Sequence, residues 1–412
     1  MTARNAAIRA AGWGGATGLL ALPMGGMAVA LWTACSAASW CVLASVLGAV
    51  PSPKRMLASA VPEHWRLTGS RIVGSRRAGT FAWFAAAIGA CVLPALLGRA
   101  ETNLAADVLL YIILALGLNV TVGEAGLFDL GYVAFYAVGA YAYAILSREG
   151  DAIVAWLGCA SPSAEGMLTA LRAQGIGFWA ALPVAGLVAA AVAALVGLPV
   201  LRLRGDYLAI AMLGFQQIVQ RFLENEGALT GGPSGIDAPR PAFGSFTFRT
   251  RSDHYYLRLA VVAILILLLR RILSSRIGRA WRAIRDDELA ARSMGIDVRR
   301  ARMLAFMIGA FCAGVAGVLF AAKQNRITPS SFGWQESIIV LSMVILGGRR
   351  SLAGVILGAA LLTVLPEALR EVLRGALREG FEDYRMLIYG ALLVCMMALR
   401  PQGLAGRREA CG

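Results

Sequence analysis

IGRAWRAIRDDELAARSMGID, Ile277 to Asp297, sits between two long apolar runs, 255–273 and 303–323. The whole polar island, 270–302, carries ten arginines. Each flanking run is on the order of 20 residues, enough to cross a bilayer core of roughly 30 Å as a helix. Acids at Asp286-Asp287-Glu288, small Ala290 and Ala291, and then Arg292 suit a short helix with its charges matched to its dipole. Gly295 stands where a left-handed residue ends such a helix. A membrane protein has no structural need for a patterned, helix-prone insert on one face. The island therefore reads as a docking element for a second protein that drives or controls the first. The bland alternative is a basic loop held at anionic lipid headgroups. It explains the arginines but not the acid cluster, the alanine pair or the glycine.

Outward from the island the chain is apolar throughout. Of 412 residues 58% are hydrophobic and 15% charged, and the mean hydropathy is +0.67. Apolar runs cover 11–50, 79–98, 104–122, 127–147, 176–200, 205–222, 255–273, 303–323, 337–348, 352–369 and 384–400. Backbone groups in hydrocarbon must satisfy one another, so the runs are helices. The expected fold is an all-α integral membrane protein, a polytopic helical bundle of about 10–12 transmembrane spans with broken or re-entrant segments. Short 337–348 is a candidate half-length span. If the chain starts inside and crosses at each run, inside segments hold 25 of the 39 Lys and Arg residues. That bias supports the span order, with both termini and the island cytoplasmic. A long apolar stretch to Val50 followed by a basic loop disfavours a cleaved signal peptide.

The net charge of +15 does not point to nucleic acid, because the basic residues cluster beside apolar runs without an aromatic-basic face. Seven cysteines form no CxxC pair, and His64 and His254 are the two histidines; no metal site is expected. No HExxH, GxSxG or GxxxxGK[ST] pattern occurs, so the chain lacks its own ATP-hydrolysing loop and is not expected to be an enzyme.

Two further stretches stand out. In Gly117–Tyr143, GLNVTVGEAGLFDLGYVAFYAVGAYAY, five glycines interrupt an apolar run that also holds Glu124 and Asp129. Glycine at this density lets helices approach closely, or breaks a helix so that its ends face a cavity. Asn119, Phe128, Tyr132, Phe135 and Tyr136 are candidates to line or gate a path. The competing reading makes Gly123–Asp129 an inside turn with both acids solvated and the aromatics as packing. In Leu201–Phe215, LRLRGDYLAIAMLGF, Asp206 is placed to cap a helix, with a neighbouring-subunit contact as the alternative.

These segments together resemble the LivM-type membrane permeases of ABC transporters for branched-chain amino acids. The resemblance runs in order through GLNVTVGEAGLFDLGYVAFYAVGAY, PVLRLRGDYLAIAMLGF, LTGGPSGI, GRAWRAIRDDELAARSMGID and the tail RPQGL, Arg400 to Leu404. It covers about 79–404, a transmembrane domain with a cytoplasmic coupling loop at 274–302. Residues 1–78 form a variable extension with one or two membrane segments and a basic loop, and 405–412 a cytoplasmic tail. The resemblance implies a second, LivH-type permease, two ATP-binding cassette subunits that hold ATP and Mg, and a periplasmic or lipid-anchored binding protein. This chain would bind no cofactor itself and would lie, surrounded by lipid, in a bacterial inner membrane. Asp287, Glu288, Ala290, Ala291 and Gly295 match the family's ATPase-coupling loop. Three sites matter for substrate. Gln216-Gln217 replaces the usual Gly-Glu, and Gly347-Gly348-Arg349-Arg350-Ser351 replaces Gly-Gly-Met-Gly-Ser. These two departures keep urea and short amides as alternative solutes, although permeases for them resemble this chain less at Leu130-Gly131-Tyr132, where a Gly-His pair is common. From another class, an ion-coupled carrier would need ionisable residues within the membrane, and Arg258 near a helix start is the clearest one, placed to snorkel.

Overall fold

The computed structural model describes residues 98–148, 176–348 and 351–373, apart from Arg204, Gly244, Ser245 and Arg249, together with Pro94 and Gly390. The expected spans within 11–98 and at 384–400, the extension 1–78, the tail 405–412 and the pair Arg349-Arg350 lie outside the described residues. The chain divides into two units, Met1–Leu97 and Gly98–Gly412, and the following concerns the second.

Its main helices are α1 (Arg99–Leu118), α2 (Tyr132–Arg148), α3 (Ile176–Val200), α4 (Asp206–Asn225), α5 (Arg251–Ser274), α6 (Arg276–Asp286), α7 (Glu288–Ser293), α8 (Val298–Gln324), α9 (Trp334–Gly347) and α10 (Leu352–Leu373). Among the described residues four segments are long and apolar enough to cross a membrane: Glu101–Glu124, Gly177–Val200, Val298–Gln324 and Pro329–Gly347. The chain is an all-α membrane protein in its architecture. Two short strand pairs decorate it. Ile236–Asp237 runs antiparallel to Arg326–Ile327, with Ile236 opposite Ile327, and Ala242–Phe243 folds back on Phe246–Thr247.

The centre is α8, which packs against α1, α2 and α3. Lipid offers apolar side chains no worse a home than protein does, so close packing rather than hydrophobic burial must hold such helices together. Glycine supplies it. A Cβ on Gly139 of α2 would lie 2.3 Å from the Gly314 backbone of α8, and one on Gly317 would lie 2.3 Å from the Tyr136 carbonyl. Where α1 crosses α8, a Cβ on Gly117 would meet Cys312 at 2.6 Å. The expected close approach is thus real at Gly117 and Gly139.

The expected break is also real. After Leu118 the helix widens into a π-helical turn, Asn119–Glu124, and the chain leaves helix until Tyr132. The reading with both acids solvated fails here, since Glu124 and Asp129 are both buried. Asp129 turns back on its own backbone, accepting from the Gly131 amide at 2.9 Å.

Two other expectations are corrected. Asp206 makes no capping hydrogen bond. Gly205, with φ 59°, occupies the cap position, and Asp206 is an exposed first-turn residue, so only its charge favours the helix end. Arg258 does not snorkel. Its side chain is 1% exposed and pairs with Asp107 at 3.0 Å. It also donates to the carbonyls of Ala106 at 2.7 Å and Leu319 at 3.2 Å. The departure at Gln216 has a structural use as well. Its amide donates to the Phe332 carbonyl at 3.3 Å and accepts from Ser337 at 2.8 Å, tying α4 to the start of α9.

Candidate coupling site

The island folds as two consecutive helices, and its sequence explains each boundary. Ser275 caps α6, accepting from the Ile277 amide. Asp287 ends α6 and caps α7: its carboxylate accepts from the Leu289 and Ala290 amides at 2.8 and 3.0 Å. Such a cap satisfies donors that the first helical turn leaves orphaned. Gly295, at φ 83°, turns the chain out of α7. The Ile296 amide then reaches the Ala291 carbonyl at 3.1 Å. Asp297 opens α8, accepting from the Arg300 amide.

The five residues singled out for coupling divide by direction. Asp287 is the cap. Glu288 faces the body of the protein, bound to Arg292 at 2.6 Å and to Arg302 of α8 at 2.9 Å. Ala291 is 2% exposed and packs with Ile284 and Val298. Ala290 is exposed, and a side chain added at Gly295 would meet open space. Turned to solvent are Leu289, 77% exposed, and, just past the end of α7, Met294, 82% exposed. Sequence reasoning passed over both. The signal was present: Leu289 lies about 200° around the helix from Ala291 at 100° per residue, so if one is buried the other is displayed.

α6 joins this small helix to the membrane domain. Trp281 is wholly buried, and its indole donates to the Ala301 carbonyl at 2.7 Å. Arg282 donates to the Leu273 carbonyl at 3.1 Å, fixing α6 to the end of α5. Arg285 donates to the carbonyl of Gly123 and lies beside Gly126. The island is therefore bonded directly to the π-helical break of α1. Neither Trp281 nor Arg285 stood out among the island's many basic and apolar residues; the partner of Arg285 lies 162 residues away.

The path candidates are distributed differently. Asn119 is completely buried in the π-helical turn, and its side-chain amide has no hydrogen-bond partner. Tyr132 donates to the Gly309 carbonyl at 3.1 Å. The Phe135 ring meets Phe306 edge-on, 5.3 Å between centroids, and Tyr136 packs on Phe320 and Phe332. Phe128 is half-buried. Of these five, Tyr136 borders a cavity at the far ends of α8 and α9.

A family model described as "Branched-chain amino acid transport system / permease component" matches residues 101–397. The chain is 42% identical over 335 residues to the high-affinity branched-chain amino acid transport system permease protein LivM of Escherichia coli strain K12, covering 76% of this chain and 71% of that protein. It is 28% identical to a probable branched-chain amino acid transport permease LivM of Methanocaldococcus jannaschii, over 72% of this chain and 90% of the relative. The LivH permease of Salmonella typhimurium is 26% identical over 73% of this chain and 92% of its own length. No solved structure matches. A buried all-helical core, a broken first helix and a match across most of the chain agree, and the chain belongs to the family of branched-chain amino acid transport system permease components.

Proposed function

We propose that this chain is the permease subunit of an ATP-binding cassette importer for branched-chain, hydrophobic amino acids in a bacterial inner membrane. The observation that carries this reading is the island: a capped, clamped helix that displays Leu289 and Met294 to solvent beside a strongly basic surface. Large apolar side chains held outward on a rigid element favour a partner groove. The partner is an ATPase subunit, one of two, since ATP and Mg are held there and not by this chain. A second, LivH-type permease completes the membrane pair, and a periplasmic or lipid-anchored binding protein delivers substrate from the opposite side. The termini are cytoplasmic, and the remaining membrane spans bring the total to about ten to twelve.

In this mechanism nucleotide binding shifts the ATPases and carries α7 with them. α7 is bonded to α8 through Glu288–Arg302, and α6 is bonded to the break in α1 through Arg285. The load is thus delivered where α1 is least regular. A break with two arrangements is the kind of element a partner can bias between inward-open and outward-open states.

Reconstitution of the permease pair with its ATPases and binding protein tests the reading. Leucine uptake should require ATP and should persist when ion gradients are collapsed. Uptake by this chain alone, driven by a gradient, would identify a secondary carrier instead. Urea or acetamide displacing leucine from transport would favour the short-amide alternative. Replacing Gly295 by Val, a β-branched residue at φ 83° where such residues are strained, should uncouple hydrolysis from uptake while the chain stays inserted.

A further inference from the structure

The joint between α5 and α6 carries charge of one sign. From His254 to Arg285 the sequence holds no acid, and Arg270, Arg271, Arg276, Arg279 and Arg282 fall close together within that stretch. Two of them serve the protein itself. Arg279 donates to the Ser274 carbonyl at 3.2 Å and Arg282 to the Leu273 carbonyl at 3.1 Å. Both close the last turn of α5, whose carbonyls a helix leaves without partners. A Cβ on Gly278 would lie 2.4 Å from the Leu273 carbonyl oxygen, so the start of α6 is drawn tightly against that turn. Arg276 and Arg279, exposed on α6, are thereby brought to the end of α5, where Arg270 and Arg271 are exposed as well.

Neither Arg271 nor Arg276 meets a counter-charge among the described residues. The acids of the island are placed elsewhere. Asp286 and Asp287 stand at the other end of α6, about 15 Å from Arg276 at 1.5 Å per residue. Glu288 is held by Arg292 and Arg302, and Asp297 by Arg300 at 3.0 Å. Glu124 is buried in the π-helical turn and adjoins Gly123, which Arg285 binds at that same far end of α6.

What the patch adjoins identifies its partner. On α5, Ile264, Leu267 and Leu268 are 64%, 67% and 46% exposed. Arg271 follows Ile264 by seven residues, about 20° short of two full turns, so it continues the same stripe. Ile277, also exposed, lies between Arg276 and Arg279. An exposed apolar stripe that ends in guanidinium groups without counter-charges matches a bilayer edge, acyl chains first and headgroups about one turn further on. A guanidinium fork can grip two phosphate oxygens at once. We propose that the elbow between α5 and α6 binds the phosphate group of an anionic phospholipid, with Arg271 and Arg276 on the phosphate, Arg279 adding charge from its place at Ser274, and the acyl chains along Ile264, Leu267 and Leu268. The island then has two partners on different residues: lipid at the elbow and a protein at α7. This inference goes beyond the permease assignment and holds whichever solute is carried.

The test is photo-crosslinking in the assembled transporter complex. Ile277 is replaced by p-benzoylphenylalanine, and the complex is placed in nanodiscs containing radiolabelled phosphatidylglycerol or radiolabelled phosphatidylcholine. Capture of phosphatidylglycerol should exceed that of phosphatidylcholine at least tenfold and should fall as salt rises. Arg271→Gln combined with Arg276→Gln should cut it at least tenfold, since each arginine near an anionic surface is worth about fivefold. Arg271→Lys with Arg276→Lys should keep most of it. Arg221→Gln, an equal loss of charge at an exposed position on α4, should change nothing. Soluble glycerol 3-phosphate and inorganic phosphate should not compete. Equal capture of the two lipids, capture unchanged in the paired Gln variant, or competition by either soluble anion would overturn the proposal. So would crosslinking to an ATPase subunit in place of lipid, which assigns the elbow to the docking surface. Should the paired Gln variant fail to assemble, the ratio of the two lipids and the soluble competitors, measured without it, decide the matter. Should the label at Ile277 disturb assembly, one at the exposed Leu267 takes its place with the same outcomes.

Discussion

Along α8 one helix serves two regions built on different principles. From Gly309 to Gly317 it lies against α1 and α2 with almost no side chain between the backbones, so that segment can neither slide nor accept volume. At its start, Val298–Arg302, it holds the docking helix through a small apolar cluster and the Glu288–Arg302 ion pair. The first region is fixed by shape, the second by a small apolar cluster and a replaceable ion pair. Motion imposed on the island should therefore be transmitted through it as a unit and should be absorbed at the π-helical turn after α1, not at the α2–α8 crossing.

Substitutions should separate these regions in order of severity. Gly139→Val drives a branched side chain into the Gly314 backbone. Its cost should reach or exceed the ~3 kcal/mol top of the usual overpacking range, seen as loss of a monodisperse peak in detergent. Asp107→Ala leaves Arg258 buried without its counter-charge. Removing one partner of a buried pair costs about 3–5 kcal/mol, and because Asp107 is one-third exposed the lower end, ~3 kcal/mol, is expected as a fall in the melting temperature. Asp287→Ala removes a cap worth ~1 kcal/mol. Its effect should be confined to faster hydrogen exchange over residues 288–294, with the melting temperature of the bundle unchanged. Arg285→Ala should cost little stability yet reduce uptake per ATP hydrolysed, because it cuts the link to Gly123. If Arg285→Ala instead lowers the melting temperature as far as Asp107→Ala does, the island is part of the core and the contrast between the two regions fails.

Much of this architecture was legible from one sequence, and the reasons are local. The run 176–200 coincides with α3 because nothing but an unbroken apolar stretch and a following arginine turn was needed to bound it. The island's short helix, its acidic start and its stop at Gly295 were legible because they depend on residues acting within about one turn; that Asp287 is the cap is what the structure adds. What escaped was long-range. Arg258 looked like a residue that would snorkel, since nothing near it in the chain says that Asp107, 151 positions away, will meet it. Asp206 was assigned a cap that Gly205 displaced with a left-handed backbone. Glu288 was assigned to the coupling loop by resemblance, and its tie to Arg302 of α8 was not visible in the sequence. The exposed pair Leu289 and Met294 was hidden by the charges around it. Gln216 carried no sign of its role, because its partners Phe332 and Ser337 lie 116 and 121 residues further along the chain.

The central claim is that α7 is the surface on which an ATPase acts, and Leu289→Asp tests it most directly. The substitution is on an exposed position, where stability effects usually stay within about 0.5 kcal/mol. Binding-protein-stimulated ATP hydrolysis and leucine uptake should be measured together in proteoliposomes. A drop of at least tenfold in uptake, with an unchanged melting temperature and a complex that loses its ATPase on gel filtration, is the expected result. Full uptake with the ATPase still bound would contradict it.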